Sequence, residues 1–161
     1  MDPRIIKFLK KHHVLTLATS RDNIPWASHC FYAFMEDEKA LVFTTDNDTR
    51  HGQEMQDNQV VSGGIVLETK VVGMIRGVQL TGTVSKTQDG RRKTQDNTQH
   101  ATRNTSLPLR RQGQQARRAY LSRFPYAILM KTNLWVLDIE SIKFTDNRLG
   151  FGKKLRWERE L

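Results

Sequence analysis

Short β-prone runs joined by polar turns fill the first third of the chain. Runs at residues 14–19, 26–34 and 40–45 are rich in aliphatic, aromatic and β-branched side chains. The turns between them, at 21–23 and 36–39, are short and polar. Strands that follow one another through tight polar turns usually pair as an antiparallel meander. The pattern therefore predicts three adjacent antiparallel strands.

A short amphipathic helix is predicted ahead of these strands. Asp2 is a typical N-cap, and Pro3 is favoured at the first helical position. The apolar residues on one face of this helix are Ile5, Ile6, Phe8 and Leu9. Because a helix with one apolar stripe must bury it, we expect the helix to cover one end of a sheet.

Glycines interrupt the next two predicted strands, at 60–68 and 71–84. These glycines are Gly63, Gly64, Gly73, Gly77 and Gly82. Glycine inside a strand often marks a bulge, a barrel corner or the close approach of a ligand, and a strongly curved sheet of this size closes into a barrel. With a further strand at 134–139, the sequence predicts a mainly β, antiparallel barrel with peripheral helices. We expect one domain over residues 1–161.

A polar, basic stretch departs from this pattern. Residues 86–118 hold nine Lys or Arg and two Asp or Glu, so most of the net charge of +9 lies there. Such a stretch buries too little apolar surface to offset the entropy lost on ordering. We therefore predict a mobile basic insertion at about 86–113, followed by a helix from Gln114. A second interpretation is that the segment binds a polyanion such as nucleic acid.

The cellular location is predicted from what the sequence lacks. No apolar run approaches the roughly 18–20 residues that span a bilayer. The N-terminus has no apolar core of a signal peptide. Cys30 is the single cysteine, so an internal disulfide is excluded. We predict a cytoplasmic protein with no membrane partner.

The segment at 44–51, which we call the phosphate turn, carries the strongest chemical signal. A predicted strand ends at Thr45, and a helix opens near Thr49. The start of a helix presents unpaired backbone N–H groups and the positive end of the dipole, so it favours an anion. The two threonine hydroxyls and His51 can donate to phosphate oxygens, and Arg50 can hold two oxygens in a bidentate fork.

A plain helix cap, with Asp48 or Thr49 as N-cap and Arg50 in solvent, fits the same local spacing. The wider chain favours the phosphate interpretation, because it resembles the pyridoxamine 5′-phosphate oxidase-like, FMN-binding split-barrel superfamily. The shared features are a strand ending in two threonines, a short turn, and Thr49-Arg50-His51 opening a helix. Ile24-Pro25-Trp26-Ala27-Ser28, entering the second strand, matches as well.

Two further blocks resemble a narrower group, the YhbP-like bacterial family. They are Ile75-Arg76-Gly77-Val78-Gln79 and Ile142-Lys143-Phe144-Thr145-Asp146-Asn147. The resemblance implies a split β-barrel, FMN as cofactor, and a homodimer with the flavin at the interface. His51 stands where the flavin oxidases usually carry Lys, and their C-terminal substrate-binding pattern is not recognisable. The substrate and the catalytic residues are therefore left open.

Other residues are candidates for contact with the flavin. Alternation along the second strand places Ala27, His29 and Phe31 on one side, which we choose as the flavin-facing side if Thr45 faces the ligand. Equally, these residues could simply pack a barrel. Gln79 could hydrogen-bond the flavin ring or face solvent, and Thr44 belongs to the phosphate turn.

Two possible reactive sites are set aside. Cys30 would need a lowered pKa and an adjacent base to act as a nucleophile, and we interpret it as a buried, inert thiol. His12 and His13 are adjacent, point apart, and lack further ligands, so no metal site is predicted.

The sequence thus predicts an FMN-binding protein and a flavin-dependent oxidoreductase with an unidentified small-molecule substrate. FMN is preferred to FAD because the turn suits a terminal phosphate and no Gly-x-Gly-x-x-Gly pattern is present. The alternatives are a non-catalytic flavin or haem binder, and a polyanion-binding protein that uses the basic insertion. We rank nucleic acid below the flavin.

Overall fold

The computed structural model describes residues 1–87, 109–129, 133–150 and 153–160. The helices and strands, in chain order, are α1 Pro3–Lys11, β1 Val14–Arg21, β2 Ile24–Met35, β3 Ala40–Thr45, α2 Arg50–Asp57, β4 Val60–Val66, β5 Arg76–Lys86, α3 Leu109–Arg123, β6 Asn133–Asp146 and β7 Lys154–Glu158. Short 3-10 turns lie at Val72–Met74, Pro125–Leu129 and Asn147–Leu149. None of the described helices is long and apolar enough to cross a membrane.

The strands form one antiparallel sheet in the order β3-β2-β1-β4-β5-β6-β7, and β3 also pairs with β6. This extra pairing closes six strands into a barrel, and β7 is added on the outside edge of β6. The predicted meander of β1, β2 and β3 is confirmed by its pairing.

A bulge in β6, opposite Gly82 of β5, bends the barrel where a glycine was expected to do so. The register with β6 shifts between Thr81 and Gly82, so that Thr81 faces Ser141 and Gly82 faces Ile139. A Cβ on Gly82 would lie 2.1 Å from the Asp138 carbonyl oxygen. Only glycine fits this close backbone approach, which explains how the sheet turns sharply enough to close.

The barrel interior is filled with apolar side chains, and its two ends are covered by helices. At one end α1 buries Ile5, Phe8 and Leu9, and Tyr32 Oη donates to the Leu9 carbonyl at 2.9 Å. Asp2 caps α1 as predicted. At the other end α2 contributes the buried Met55.

A second apolar cluster lies outside the barrel, under α3. The helix buries Ala116 and Tyr120 against the outward-facing side chains of β2, β3 and β6. One part of the outer barrel surface is therefore covered by α3, whereas the outer faces of β1 and β4 bear the exposed Val14, Val60 and Val66.

Several predicted boundaries were wrong. The fifth strand begins at Arg76, because residues 71–75 form a 3-10 turn in which Asn147 Nδ2 donates to the Val72 carbonyl at 2.8 Å. Strand β7 was not predicted, although Leu155 and Trp157 alternate with polar residues and pack against the core.

The segment that was predicted to be a mobile insertion has regular secondary structure at both of its ends. Lys86 ends β5, and α3 begins at Leu109 and not at Gln114, so residues 109–113 are helical. The predicted mobility of the insertion concerns residues 88–108, which lie outside the described part of the chain.

Candidate functional site

The start of α2 gathers three residues of the phosphate turn. Thr49 caps the helix: its Oγ1 accepts from the Gly52 N–H at 3.1 Å and donates to the Asp46 carbonyl at 2.8 Å. Thr45 Oγ1 lies 3.1 Å from Thr49 Oγ1 and 2.5 Å from His51 Nε2. Two hydroxyls and an imidazole therefore meet where backbone N–H groups favour an anion.

Arg50 is held at this helix start by a buried carboxylate. Its Nε donates to Glu54 Oε1 at 2.8 Å, and its guanidinium carbon lies 4.3 Å from the centre of the Trp26 ring. Glu54 is 3% exposed and also accepts from Thr19 Oγ1 at 2.5 Å. Although the Arg50 side chain is 48% exposed, it is fixed by an ion pair and by ring stacking. Thr49 is the helix cap, as the plain-cap interpretation also expects, and Arg50 is half-exposed with its guanidinium held in place.

The ion pair with Glu54 engages only one of the N–H groups of the Arg50 guanidinium. A guanidinium carries five N–H donors in a planar fork, and Nε supplies one of them. Hydrogen bonds from Arg50 and then Thr19 lower the pKa of Glu54 and outweigh its burial. An ionised Glu54 orients the guanidinium, and the remaining N–H groups of the guanidinium can donate hydrogen bonds to an oxyanion.

His51 contributes a hydrogen bond to the turn. Burial lowers the pKa of its imidazole, and the nearby Glu54 carboxylate opposes this shift without cancelling it. Burial therefore favours the neutral form of the ring. Among the residues gathered at this turn, Arg50 carries the permanent positive charge.

Thr44 does not join this group. Its Oγ1 lies 3.0 Å from Tyr120 Oη, on the face of β3 that α3 covers. Neighbouring residues of a strand point to opposite faces, so Thr44 and Thr45 cannot both face the helix start.

The predicted flavin-facing side of β2 is an exposed outer surface. Ala27, His29 and Phe31 are all exposed, whereas Cys30 between them is buried in the barrel. His29 Nδ1 lies 3.2 Å from Thr16 Oγ1 on β1, and the Phe31 ring stacks on His13 at 5.7 Å. These three residues therefore do not pack the barrel interior, and the surface on which they lie is open to a ligand or a second chain.

The Cys30 thiol is unsuited to nucleophilic attack. Burial raises its pKa to about 11. The thiolate is the reactive form, and little of it exists at neutral pH. This agrees with the inert thiol that was predicted.

Gln79 lies on the same outer surface, away from the phosphate turn. It is exposed on β5 and faces Gly64 on β4 and Lys143 on β6. Strand β5 is three strands from β2, a separation of about 14 Å along the sheet at the usual strand spacing. Within one chain, Gln79 and Arg50 do not form one compact site.

Sequence reasoning missed three residues that support Arg50. They are Thr19, Trp26 and Glu54. The spacing of Arg50 and Glu54, four residues apart on a helix, was a usable signal, because such pairs face each other. The part played by Thr19 depends on the packing of α2 against β1 and had no local signal. Among the described residues, no group of three or more His, Cys, Asp or Glu could hold a metal ion.

Comparison with known proteins shows to which family the chain belongs. The profile of the pyridoxamine 5′-phosphate oxidase family matches residues 1–130, a span that contains the barrel up to β5 and the whole phosphate turn. The chain belongs to this family. A UPF0306 protein of Photorhabdus laumondii is 37% identical over 155 residues, which cover 96% of this chain and 94% of the relative. The resemblance inferred from the sequence is confirmed.

Solved structures confirm the split-barrel fold of this pyridoxamine 5′-phosphate oxidase family member. A haem-binding protein from Mycobacterium smegmatis matches with a TM-score of 0.69 and 19% identity, over 98% of this chain and 59% of that one. A FAD-binding protein from Mesorhizobium loti matches with a TM-score of 0.61 and 14% identity, over 88% of this chain and 92% of that one. At these identities the comparison establishes the fold alone.

Proposed function

We propose that this family member binds FMN through the phosphate turn and acts as a flavin-dependent oxidoreductase. The observation that carries the proposal is the Arg50 guanidinium, fixed by Glu54 and Trp26 beside the N-terminus of α2. The donor set suits a terminal phosphate, because a guanidinium fork, two hydroxyls and helix N–H groups all donate to oxyanions. Thr45 and His51 bond to each other and would exchange that bond for phosphate oxygens.

Bound FMN would carry out hydride or electron transfer, and the protein would bind the phosphate and orient the flavin ring. Arg50, Thr45 and Thr49 would hold the phosphate, and the exposed side of β2 would lie along the flavin. The family membership supports a flavin, and the FAD-binding relative of the same fold agrees with it. The cytoplasmic location stays a prediction.

We further propose a homodimer with two flavin sites at its interface. Apolar side chains on the outer surface support this: Phe31 is 55% exposed, and Val60 and Val66 are 64% and 69% exposed. Exposed apolar patches of this kind often mark an interface between chains. A second chain could bring its Gln79 to a flavin held by the first. Sedimentation equilibrium tests this, and a strictly monomeric protein at every concentration would contradict it.

Haem is a second candidate ligand. The haem-binding protein from Mycobacterium smegmatis shares the fold. His29, exposed on the outer surface of β2, is a residue type that ligates haem iron. Absorbance spectra after addition of FMN and of haemin separate the two ligands. A Soret shift that is lost in His29→Ala, together with no binding of FMN, would favour haem.

The decisive experiment for FMN is a titration of wild type, Arg50→Ala and Arg50→Lys. Loss of a buried charge partner typically costs about 2–5 kcal/mol, and less at an exposed rim, so we expect FMN affinity to fall at least about tenfold in Arg50→Ala. Arg50→Lys should recover part of this affinity, because lysine keeps the charge but not the fork. Riboflavin, which lacks the phosphate, should bind all three proteins equally.

A matched control is available in Arg148→Ala. Arg148 is also 48% exposed and also pairs with a buried carboxylate, that of Asp146. It lies beyond the end of β6, near α1, and not at the phosphate turn. FMN affinity should not change in this variant. Equal FMN affinity of wild type and Arg50→Ala would refute the phosphate-turn assignment.

A further inference from the structure

A cavity of about 440 Å³ lies on the outer face of the sheet and is lined by residues of β1, β4, β5, β6 and β7. Its lining includes the small residues Gly63 and Gly64 of β4. Its size falls in the range of small-molecule sites, about 300–1,000 Å³. Gln79, Lys143 and Arg156 line it in one cross-strand row. We call it the outer cavity.

Two cations face each other in the outer cavity. Lys143 on β6 and Arg156 on β7 are direct register partners. Side chains directly opposite on one face have Cβ atoms about 4.5–5.5 Å apart, and like charges in that position destabilise the sheet. Within the residues that the structure describes, neither Lys143 nor Arg156 has a hydrogen bond or an ion pair. No direct hydrogen bond or ion pair from a described side chain therefore relieves this repulsion.

The rest of the lining favours an organic ligand with one negative end. Glu158 is the only acidic residue in the lining, and it faces Ser141 one row away from the two cations. Thr81 Oγ1 and Ser141 Oγ lie 2.8 Å apart on the same wall, and Gln79 adds an amide. With two cations and one carboxylate, the lining carries a net positive charge, which favours a ligand with a net negative charge. The hydroxyls and the amide can form hydrogen bonds with the polar groups of that ligand.

We propose that the outer cavity binds a small organic oxyanion, a carboxylate or a phosphate monoester, between Lys143 and Arg156. An oxyanion placed there replaces a like-charge repulsion with charge-assisted hydrogen bonds to both cations. The site goes beyond the proposed function and shares only Gln79 with it. Arg50 and the phosphate turn belong to a different part of the barrel and play no part in it.

Isothermal titration with benzoate tests the site, and benzyl alcohol of similar shape is the uncharged control. Benzoate should bind saturably, and more weakly as salt is raised, whereas benzyl alcohol should not bind. The double variant Lys143→Gln and Arg156→Gln should weaken benzoate binding by about tenfold or more. The control double variant Lys7→Gln and Lys11→Gln removes two exposed charges on α1 and should leave binding unchanged. Phenyl phosphate, titrated into Arg50→Ala so that the phosphate turn is disabled, tests the phosphate alternative.

Each outcome of these titrations decides the proposal. The absence of saturable binding of both probes would overturn it, as would equal binding by wild type and the double variant. All titrations use protein free of FMN, because Gln79 lines the cavity and is also proposed to meet the flavin. If the double variant fails to fold, each single substitution gives the same test. Because each single change relieves a repulsion, we expect the melting temperature of the free protein to be unchanged or raised.

Discussion

Replacement of Glu54 by Gln tests whether a buried carboxylate anchors Arg50. Glutamine has nearly the same shape and can keep both contacts, with its oxygen accepting from Arg50 and its amide donating to Thr19 Oγ1. The substitution therefore removes the charge and leaves the packing.

The expected loss of stability follows from the two hydrogen bonds. Bonds to charged groups contribute about 1.5–3 kcal/mol and neutral bonds about 0.5–1.5 kcal/mol, so two bonds lose about 2 kcal/mol in total. Because the Arg50 side chain is 48% exposed, solvent screens its share. We expect Glu54→Gln to lower the free energy of unfolding at pH 7 by about 1–2 kcal/mol.

The same substitution should change how stability depends on pH. The pKa of Glu54 is lowered in the folded protein by its bonds to Arg50 and Thr19. Its contribution is therefore complete above the pKa of the unfolded chain, about 4.3, and is lost as the pH falls towards the folded value. The difference in stability between wild type and Glu54→Gln should shrink as the pH drops below about 4.

Urea unfolding of both proteins at pH 7 and at acid pH measures these effects. Glu68→Gln is the control, because Glu68 is exposed and has no partner within the described residues, and it should stay within about 0.5 kcal/mol of wild type. Equal stability of wild type and Glu54→Gln at pH 7 would refute the anchoring role. A difference that persists unchanged at acid pH would show that packing, not charge, is responsible.

Three other predictions follow from single contacts. Trp26→Ala removes the ring beneath Arg50, a contact of about 0.5–1 kcal/mol, so FMN affinity measured by titration should fall about two- to fivefold while riboflavin affinity stays constant. Gly82→Ala forces a Cβ against the Asp138 carbonyl and should cost more than about 2 kcal/mol in urea unfolding; a smaller loss would mean that the bulge relaxes freely. Because the pKa of Cys30 is raised to about 11, alkylation by iodoacetamide at pH 8 should be about a hundredfold slower in the folded protein than in urea, and comparable rates would contradict the burial of this thiol.

The features that could be predicted from the sequence are those specified by neighbouring residues. Asp2 and Pro3 begin α1, β3 ends at Thr45, and Thr49 caps α2, each where short-range patterns predicted it. Barrel closure was also predicted, because five glycines in two neighbouring predicted strands indicate a strongly curved sheet. The bulge at Gly82 gives that argument its physical basis.

Features that depend on distant partners could not be predicted. Thr44 looked like part of the phosphate turn, but its hydroxyl contacts Tyr120, 76 residues later in the chain. Glu54 is anchored by Thr19, 35 residues earlier, so its role had no local signal beyond its spacing from Arg50. Strand β7 was not predicted for a similar reason. Whether a short alternating run becomes a strand depends on its pairing, here with β6.

The arrangement of polar groups on the barrel bears on the need for a second chain. The phosphate turn lies at the end of the barrel that α2 covers, whereas Gln79 lies on the side of the sheet, about three strands from β2. The barrel interior is filled with side chains, so no ligand can bridge the two regions through it. We propose that a planar cofactor held by Arg50 meets the groups on β5 of a second chain, across a surface where two barrels pack together. The exposed valines and Phe31 lie on that outer surface. If Phe31→Asp gave a monomer that still bound FMN with unchanged affinity, the flavin site would be complete in one chain, and the composite site would have to be abandoned.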